Sequence, residues 1–315
     1  MQVERTASSR SHRVWFMPHA IALSVVLSLA FGVANPLAAQ TLERIKESGH
    51  IKLGYIADAR PFTHGSGTGA PEGYSVKLCQ VIAEQAKNQL ALSDLAVDWV
   101  VVSTDAPLRD VRAGNIDVLC TPMAATLTRR RDVSFSAPVY PGGVHAVVRA
   151  DAPTALRDAL AESPRTRPVW RGSPAATVLG KSTFAVVSGT TAESTLRDRL
   201  VVFQIDAKTV SVPDYRTALQ QLHDRKADVV FGDPAVILGA MEGMSREDFV
   251  ILDRQLTNEP YALAVPRNDD DFRLLVDTAL NQLLVTNAFQ ELYAKAFGAP
   301  DEKTRAFFRW STPRQ

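Results

Sequence analysis

The sequence predicts an α/β protein built of two blocks in series, and three observations carry that prediction. Short apolar runs alternate with helically spaced segments through most of the chain after residue 50. Strand–helix–strand repetition at this spacing argues for right-handed βαβ units and a mostly parallel sheet. The rhythm breaks in a stretch rich in proline and arginine and then resumes, so the 315 residues divide into two modest units.

Taken in order, Ile51–Ile56 (IKLGYI) reads as a buried strand. The loop Ala57–Gly73 closes with glycines and prolines. Its Gly65–Gly69 stretch lacks the lysine and the helix opening of a phosphate loop and reads as a hairpin tip. Between Tyr74 and Asn88, Val76, Cys79, Val81, Ile82 and Ala86 fall at helical spacing. Val97–Val102 is a strand, Leu108–Ala113 a short helix ended by Gly114, and Ile116–Cys120 a strand. Ala125–Ser136 (ATLTRRRDVSFS) reads as the opening of a short helix with Thr126 as its N-cap. Cations there oppose the helix dipole at roughly 0.3–1 kcal/mol each, so an arginine in this place calls for an anion.

The second block starts with a strand near Val144. Asp151–Lys181 breaks the rhythm and reads as an exposed insertion. Phe184–Gly189 is a strand, Ala192–Arg199 a helix, and Thr209–Val212 a strand. Asp214–Arg225 is a helix with Tyr215, Leu219 and Leu222 on one face. Ala227–Asp233 is a strand that runs into a helix at Pro234. A lone strand, Pro260–Val265, precedes two helices at Asp269–Thr286 and Asn287–Phe297.

Residues 1–39 read as a secretory signal rather than as part of the fold. Arg5, Arg10 and Arg13 form a basic region, Ala20–Ala34 is an uninterrupted apolar run, and small residues suit cleavage after Ala39. The apolar run is shorter than the ~20 residues of a spanning helix, which disfavours the alternative of a retained anchor. No cysteine lies near the cleavage region, which argues against a lipid anchor. The segment is expected to direct export of the chain. Removing this segment takes away three arginines and one glutamate and leaves a formal net charge of −1. With 46% hydrophobic and 22% charged residues, the chain can bury a core, and wholesale disorder is excluded. It has no basic stripe for nucleic acid beyond Arg129–Arg131. The two cysteines, Cys79 and Cys120, are a candidate disulfide in an exported chain, and two buried thiols are the alternative. Without suitably spaced histidines they make a poor zinc site, and no metal or cofactor is expected.

Three places carry complementary chemistry. Ser188–Ser194 (SGTTAES) follows a strand and opens a helix, with Thr190 and Glu193 fitting a capping box. The N–H groups of Gly189–Ala192 would also form an anion site. Asp233 before Pro234 reads as an N-cap with proline at N1, yet a carboxylate at a strand's C-terminal edge is where α/β folds place ligand contacts. Arg129 can grip a carboxylate with two parallel hydrogen bonds. A cation and helix N–H groups for a carboxylate, with an anion for an ammonium, make a receptor for an α-amino acid.

These segments bear a resemblance. From Thr41 to about Gly298 the chain resembles the family 3 solute-binding proteins of bacterial ABC transporters, the polar amino-acid group. Gly73–Ala83 (GYSVKLCQVIA) resembles the signature helix, with Lys77 where an acidic residue is usual. Gly114–Tyr140 resembles the segment carrying the ligand arginine, and its spacing from Asp117 selects Arg129. SGTT and VVFGD resemble the two loops of the second lobe.

The resemblance implies a two-lobed periplasmic binding protein fold (type II) with ligand between α/β lobes joined by two crossover hinge strands. The strands are expected near Val139–Val148 and Glu259–Val265. Lobe 1 would comprise 40–143 and 259–315, and lobe 2 would comprise 144–258 with the 151–181 insertion. It implies a ligand carboxylate held by Arg129, the backbone of Ala124 and the N–H groups at Thr190–Thr191, with Gly189 in the same loop. Thr126 would add its hydroxyl or cap the helix, and Asp233 would pair with the ammonium. The implied role is the substrate-binding component of an amino-acid importer, a monomer that closes on its ligand and meets a membrane permease transiently, with no catalytic residues. Ala59 stands where the family often has an aromatic platform. The arginines that relatives preferring acidic amino acids bring near Ile56 and Pro107 are absent. Tyr55, Asp58, Arg60 and Phe62 are the candidates for a side-chain pocket. The alternatives are an enzyme on the same fold, similar to cyclohexadienyl dehydratases, with His145 as candidate acid, and a ligand-sensing module.

Overall fold

The computed structural model describes residues 41–65, 69–104, 106–161 and 172–311. The expected signal segment, most of the GSGTG tip and the centre of the 151–181 stretch lie outside them. In chain order the elements begin with α1 (Thr41–Ser48), β1 (His50–Tyr55), β2 (Asp58–Ala59), β3 (Thr63–His64), α2 (Tyr74–Gln89), β4 (Ala96–Val101), α3 (Pro107–Arg112) and β5 (Val118–Ala124). Then come β6 (Ser134–Phe135), β7 (Tyr140–Gly142), β8 (His145–Arg149), α4 (Thr154–Ala161), α5 (Pro174–Gly180) and β9 (Thr183–Val187). The chain continues with α6 (Thr191–Phe203), β10 (Lys208–Val212), α7 (Tyr215–His223), β11 (Val229–Gly232), α8 (Pro234–Ala240) and β12 (Phe249–Ile251). It ends with β13 (Glu259–Val265), α9 (Asp270–Leu284), α10 (Asn287–Phe297) and α11 (Glu302–Ser311).

Two sheets define two lobes. The first has the order β4-β1-β5-β13-β6 with β7 also paired to β13, and the second has the order β10-β9-β11-β8-β12. The expectation of mostly parallel sheets is corrected here. Each sheet has three parallel strands, β4-β1-β5 and β10-β9-β11, and the returning strands β13, β8 and β12 lie antiparallel to their neighbours. Chain reversal is the reason: strands that cross between lobes arrive from the opposite end.

Burial follows the two-residue period of a strand. In β9, Phe184 and Val186 face one core cluster with Phe231 and Leu196, while Ala185 and Val187 face another with Leu219, Leu222 and Ile237. In β5, Val118 and Cys120 meet α2 and α9, while Leu119 meets Val111 and Val133 on the other face. On α2, Tyr74, Leu78, Cys79, Ile82 and Ala86 are buried at helical spacing. Cys79 and Cys120 form a disulfide, Cα–Cα 6.1 Å, which bolts α2 to β5.

Three further expectations change. The 151–181 stretch is not simply exposed: Leu156 and Leu160 of α4 and Ala176 and Leu179 of α5 are buried in the second lobe. Ser173 caps α5 by accepting from the Ala176 N–H. After Thr126 the chain makes a single 3-10 turn at Arg129–Arg131 rather than an α-helix, and Thr128 occupies its cap position without a side-chain bond. A third C-terminal helix, α11, follows the two expected.

The chain passes between lobes twice. The first passage is the break between β7 and β8, where Gly143 and Val144 donate to Asp233 and Thr257. A Cβ on Gly143 would lie 2.4 Å from the Thr257 carbonyl oxygen, backbone that cannot swing aside, so only glycine passes there. The second leads from β12 into β13, which pairs with β7 at Glu259, Pro260 and Tyr261.

Candidate functional site

A cavity of about 650 Å3 lies between the lobes, at the C-terminal ends of the parallel strands. Segments after β1, at the end of β5 and after β9, β10 and β11 all contribute to its wall. Ala124, Arg129, Gly189, Thr190, Thr191 and Asp233 line it, so one cavity brings together residues spread over more than a hundred positions.

Arg129 is half-buried, whereas Arg130 and Arg131 are exposed. Its Nη1 donates to the Ala124 carbonyl at 2.9 Å and its Nη2 to the Gly189 carbonyl, in the other lobe, at 3.3 Å. Burial pulls its pKa down, opposed by Tyr261, Glu259 and Tyr215, yet a guanidinium stays charged. Thr126 does not reach the cavity wall; its Oγ1 accepts from the Arg129 N–H at 3.3 Å and so fixes the turn that aims the arginine. Arg130 lies over the Phe135 ring at 5.6 Å, facing away from this role.

Thr190 caps α6, accepting from the Glu193 N–H. Glu193 reaches back to the Gly189 N–H at 3.0 Å, and the Thr190 N–H points to the Val187 carbonyl. That narrows the expected anion site: the N–H groups of Thr191 and Ala192 are those without an acceptor among the described residues. The Thr191 hydroxyl donates to Glu259 at 2.5 Å.

Asp233 is 2% exposed and combines two jobs. One oxygen accepts from the Ala235 N–H, capping α8, and the other accepts from Gly143 in the crossover, both at 2.9 Å. The Tyr140 hydroxyl is also hydrogen-bonded to it. Desolvation pushes its pKa up to about 6, against the backbone N–H groups of Gly143, Ala235 and Val236 and with the help of the Glu259 charge. Burial raises the hydroxyl pKa values of Tyr140, Tyr215 and Tyr261 as well, so all three stay protonated donors near neutral pH.

The side-chain candidates divide. Tyr55 is a core residue, 1% exposed and edge-on to Trp99, and it does not line the cavity. Phe62 touches the cavity but is held in a cluster with Tyr140, Tyr261 and Phe297. Asp58 and Arg60 line the cavity as an ion pair at 2.8 Å, and Arg60 also pairs with Glu242 of the second lobe at 2.8 Å. His145 turns its Nδ1 to the Leu252 carbonyl, outside the cavity wall. Sequence reading missed Tyr215 of α7 and Tyr261 of β13 on the cavity wall, and Glu259 behind Thr191, because nothing local marks which helix or strand residue reaches a site. It also missed Arg109 and Arg216 on the wall. No group of three or more metal-ligating side chains occurs among the described residues.

A carboxylate against Arg129 and the start of α6, with an ammonium toward Asp233, would satisfy both poles of the cavity. Residues 51–299 match the model of the bacterial extracellular solute-binding proteins, family 3. The chain belongs to that family. Its type II periplasmic binding protein architecture agrees with the two lobes and two crossings described above. Among curated relatives, this family member is 25% identical over 287 residues to an L-glutamate/L-aspartate-binding protein of Pseudomonas aeruginosa, covering 90% of this chain and 88% of that one. It is 26% identical over 218 residues to a cyclohexadienyl dehydratase of the same species, covering 68% and 70%. Among solved structures, an ancestral arginine-binding protein bound to arginine superposes with a TM-score of 0.62 at 22% identity, covering 79% of this chain and 99% of that one.

Proposed function

We propose that this chain is the periplasmic substrate-binding component of an ABC importer for an α-amino acid, and that the lobes shut on the ligand. The observation that carries the proposal is Arg129, held by Ala124 in one lobe and Gly189 in the other, in the same cavity as Asp233. A ligand that engages both lobes favours their closed arrangement, and its differential affinity for that state sets the size of the shift. The closed form is then what a membrane permease reads. Relatives named for glutamate, aspartate, glutamine and cystine support the amino-acid class and leave the side chain open. The N-terminal segment would direct export and be removed.

Calorimetry of ligand-stripped protein against the twenty amino acids tests this reading. Saturable binding of at least one, without turnover, is expected. Turnover of prephenate or arogenate would instead favour an enzyme.

A further inference from the structure

Resting on the amino-acid reading, we propose that Glu259 is a positioning residue for the ligand's carboxylate: it takes the Thr191 hydroxyl and pins the donor end of α6 to both crossings between the lobes. Counting hydroxyl protons leads there. A threonine hydroxyl has one proton to give. Thr191 gives its proton to one oxygen of Glu259, at 2.5 Å. The other Glu259 oxygen accepts from the Thr257 hydroxyl at 2.7 Å, and the Thr257 oxygen accepts in turn from the Val144 N–H at 3.0 Å. Thr257 lies in the second crossing and Val144 in the first, and Glu259 itself pairs with Gly142 at the end of β7. One half-buried carboxylate therefore ties the start of α6, in the second lobe, to β13 of the first sheet and to both connections between them.

With its proton committed, Thr191 meets the cavity through its main chain and its oxygen lone pairs. What the start of α6 offers an anion is then the N–H groups of Thr191 and Ala192, on the same wall as the Arg129 guanidinium. The guanidinium belongs to the first lobe and the N–H groups to the second. They can share one carboxylate only while α6 keeps its place, and donors already held in place bind at less cost than donors that must be ordered. The Thr191–Glu259 bond supplies that hold. The charge of Glu259 is felt at both poles of the cavity: it works against the fall in the Arg129 pKa and adds to the rise in that of Asp233. It repels the carboxylate of a zwitterion and attracts its ammonium, two effects of opposite sign. What Glu259 contributes to the binding of a net-neutral amino acid is therefore chiefly placement.

The test is calorimetry of ligand-stripped protein at pH 7.5 against the twenty L-amino acids and the α-carboxamide of each one that binds. Thr191→Val keeps the size of the side chain, the main-chain N–H and every charge. It should nevertheless weaken binding of the acid about five- to tenfold and narrow the preference for the acid over its α-carboxamide. Thr191→Ser, which restores the hydroxyl, should recover most of that loss. Glu259→Gln should lose about as much as Thr191→Val. The Thr191→Val/Glu259→Gln double variant should bind within about twofold of the weaker single variant, because the same contact is removed in all three. Losses that multiply in the double variant would mean that the Thr191 hydroxyl serves the ligand without Glu259, and would overturn the proposal. Unchanged binding in Glu259→Gln would overturn it as well. Equal losses for acid and carboxamide in Thr191→Val would also sink it, since they mark a brace of the fold and not of the carboxylate's donors. Each of these outcomes leaves the amino-acid reading standing, whereas binding of no amino acid at all would remove that reading and the proposal with it.

Discussion

Arg129 and Arg130 are adjacent in sequence and opposite in circumstance, which makes the pair a test of the site. Arg129→Ala should abolish detectable ligand binding without unfolding the protein, because truncating one partner of a desolvated charge pair costs about 2–5 kcal/mol. Arg130→Ala removes an exposed contact to Phe135 and should change affinity by less than about twofold. Equal losses in calorimetry would mean that the wrong arginine has been chosen. Asp233 makes a second prediction. Its folded pKa, about 6, lies above the usual 3.8, so its contribution to stability is present below 3.8 and is lost as pH rises through 6. Binding runs the other way, because an ammonium needs the carboxylate ionised. Affinity should hold from pH 8 to 7 and fall roughly tenfold by pH 5, and Asp233→Asn, which keeps the cap, should bind weakly with a flat profile. A flat profile in the unmodified protein would remove Asp233 from the ammonium's partners. These residues were legible because each carries a local signature, a cap or a turn. Arg60 lines the cavity, but its pairing with Glu242 could not be read from the sequence, because that partner lies in the other lobe. Tyr55 was misread because a strand's last residues show no sign of which face they turn.

The elements were legible where periodicity was long or flanked by caps, as in α2, α7 and α9, and less so where packing overrides composition. The 151–181 stretch looks like surface for its prolines and arginines, but Leu156, Leu160 and Leu179 draw α4 and α5 onto the second lobe's sheet. The antiparallel strands could not be seen locally, since β8 and β13 have the same apolar composition as the parallel ones. Long-range coupling between elements gives the third prediction. The Cys79–Cys120 disulfide closes a loop with a sequence separation of 41 between α2 and β5, worth roughly 4 kcal/mol by loop entropy. Reduction, or a Cys79→Ala/Cys120→Ala double variant, should lower Tm by roughly 10 °C in thermal unfolding. An unchanged Tm would show that α2 is held by its apolar face alone.

At the scale of the molecule, the lobes touch in this structure through more than the arginine at position 129. Gly239 of α8 approaches the backbone of Arg60 so closely that an added Cβ would lie 2.3 Å from the Arg60 carbonyl oxygen. The Arg60–Glu242 pair sits beside this contact. Half-exposed, that pair contributes little by itself, so the steric fit is the stronger determinant of how far the lobes can shut. Backbone cannot swing aside as a long side chain can, and overpacking of this kind costs about 1–3 kcal/mol. Gly239→Ala should therefore prop the lobes apart. Ligand affinity should fall about 5- to 100-fold, and the radius of gyration of the liganded protein by small-angle scattering should move toward that of the ligand-free form. Gly180→Ala is the control, because its Cβ would meet only the Asp206 carbonyl at an ordinary 3.5 Å, within one lobe. If Gly239→Ala binds and scatters as the unmodified protein does, the contact seen here is not part of the ligand-bound state, and closure must be limited elsewhere.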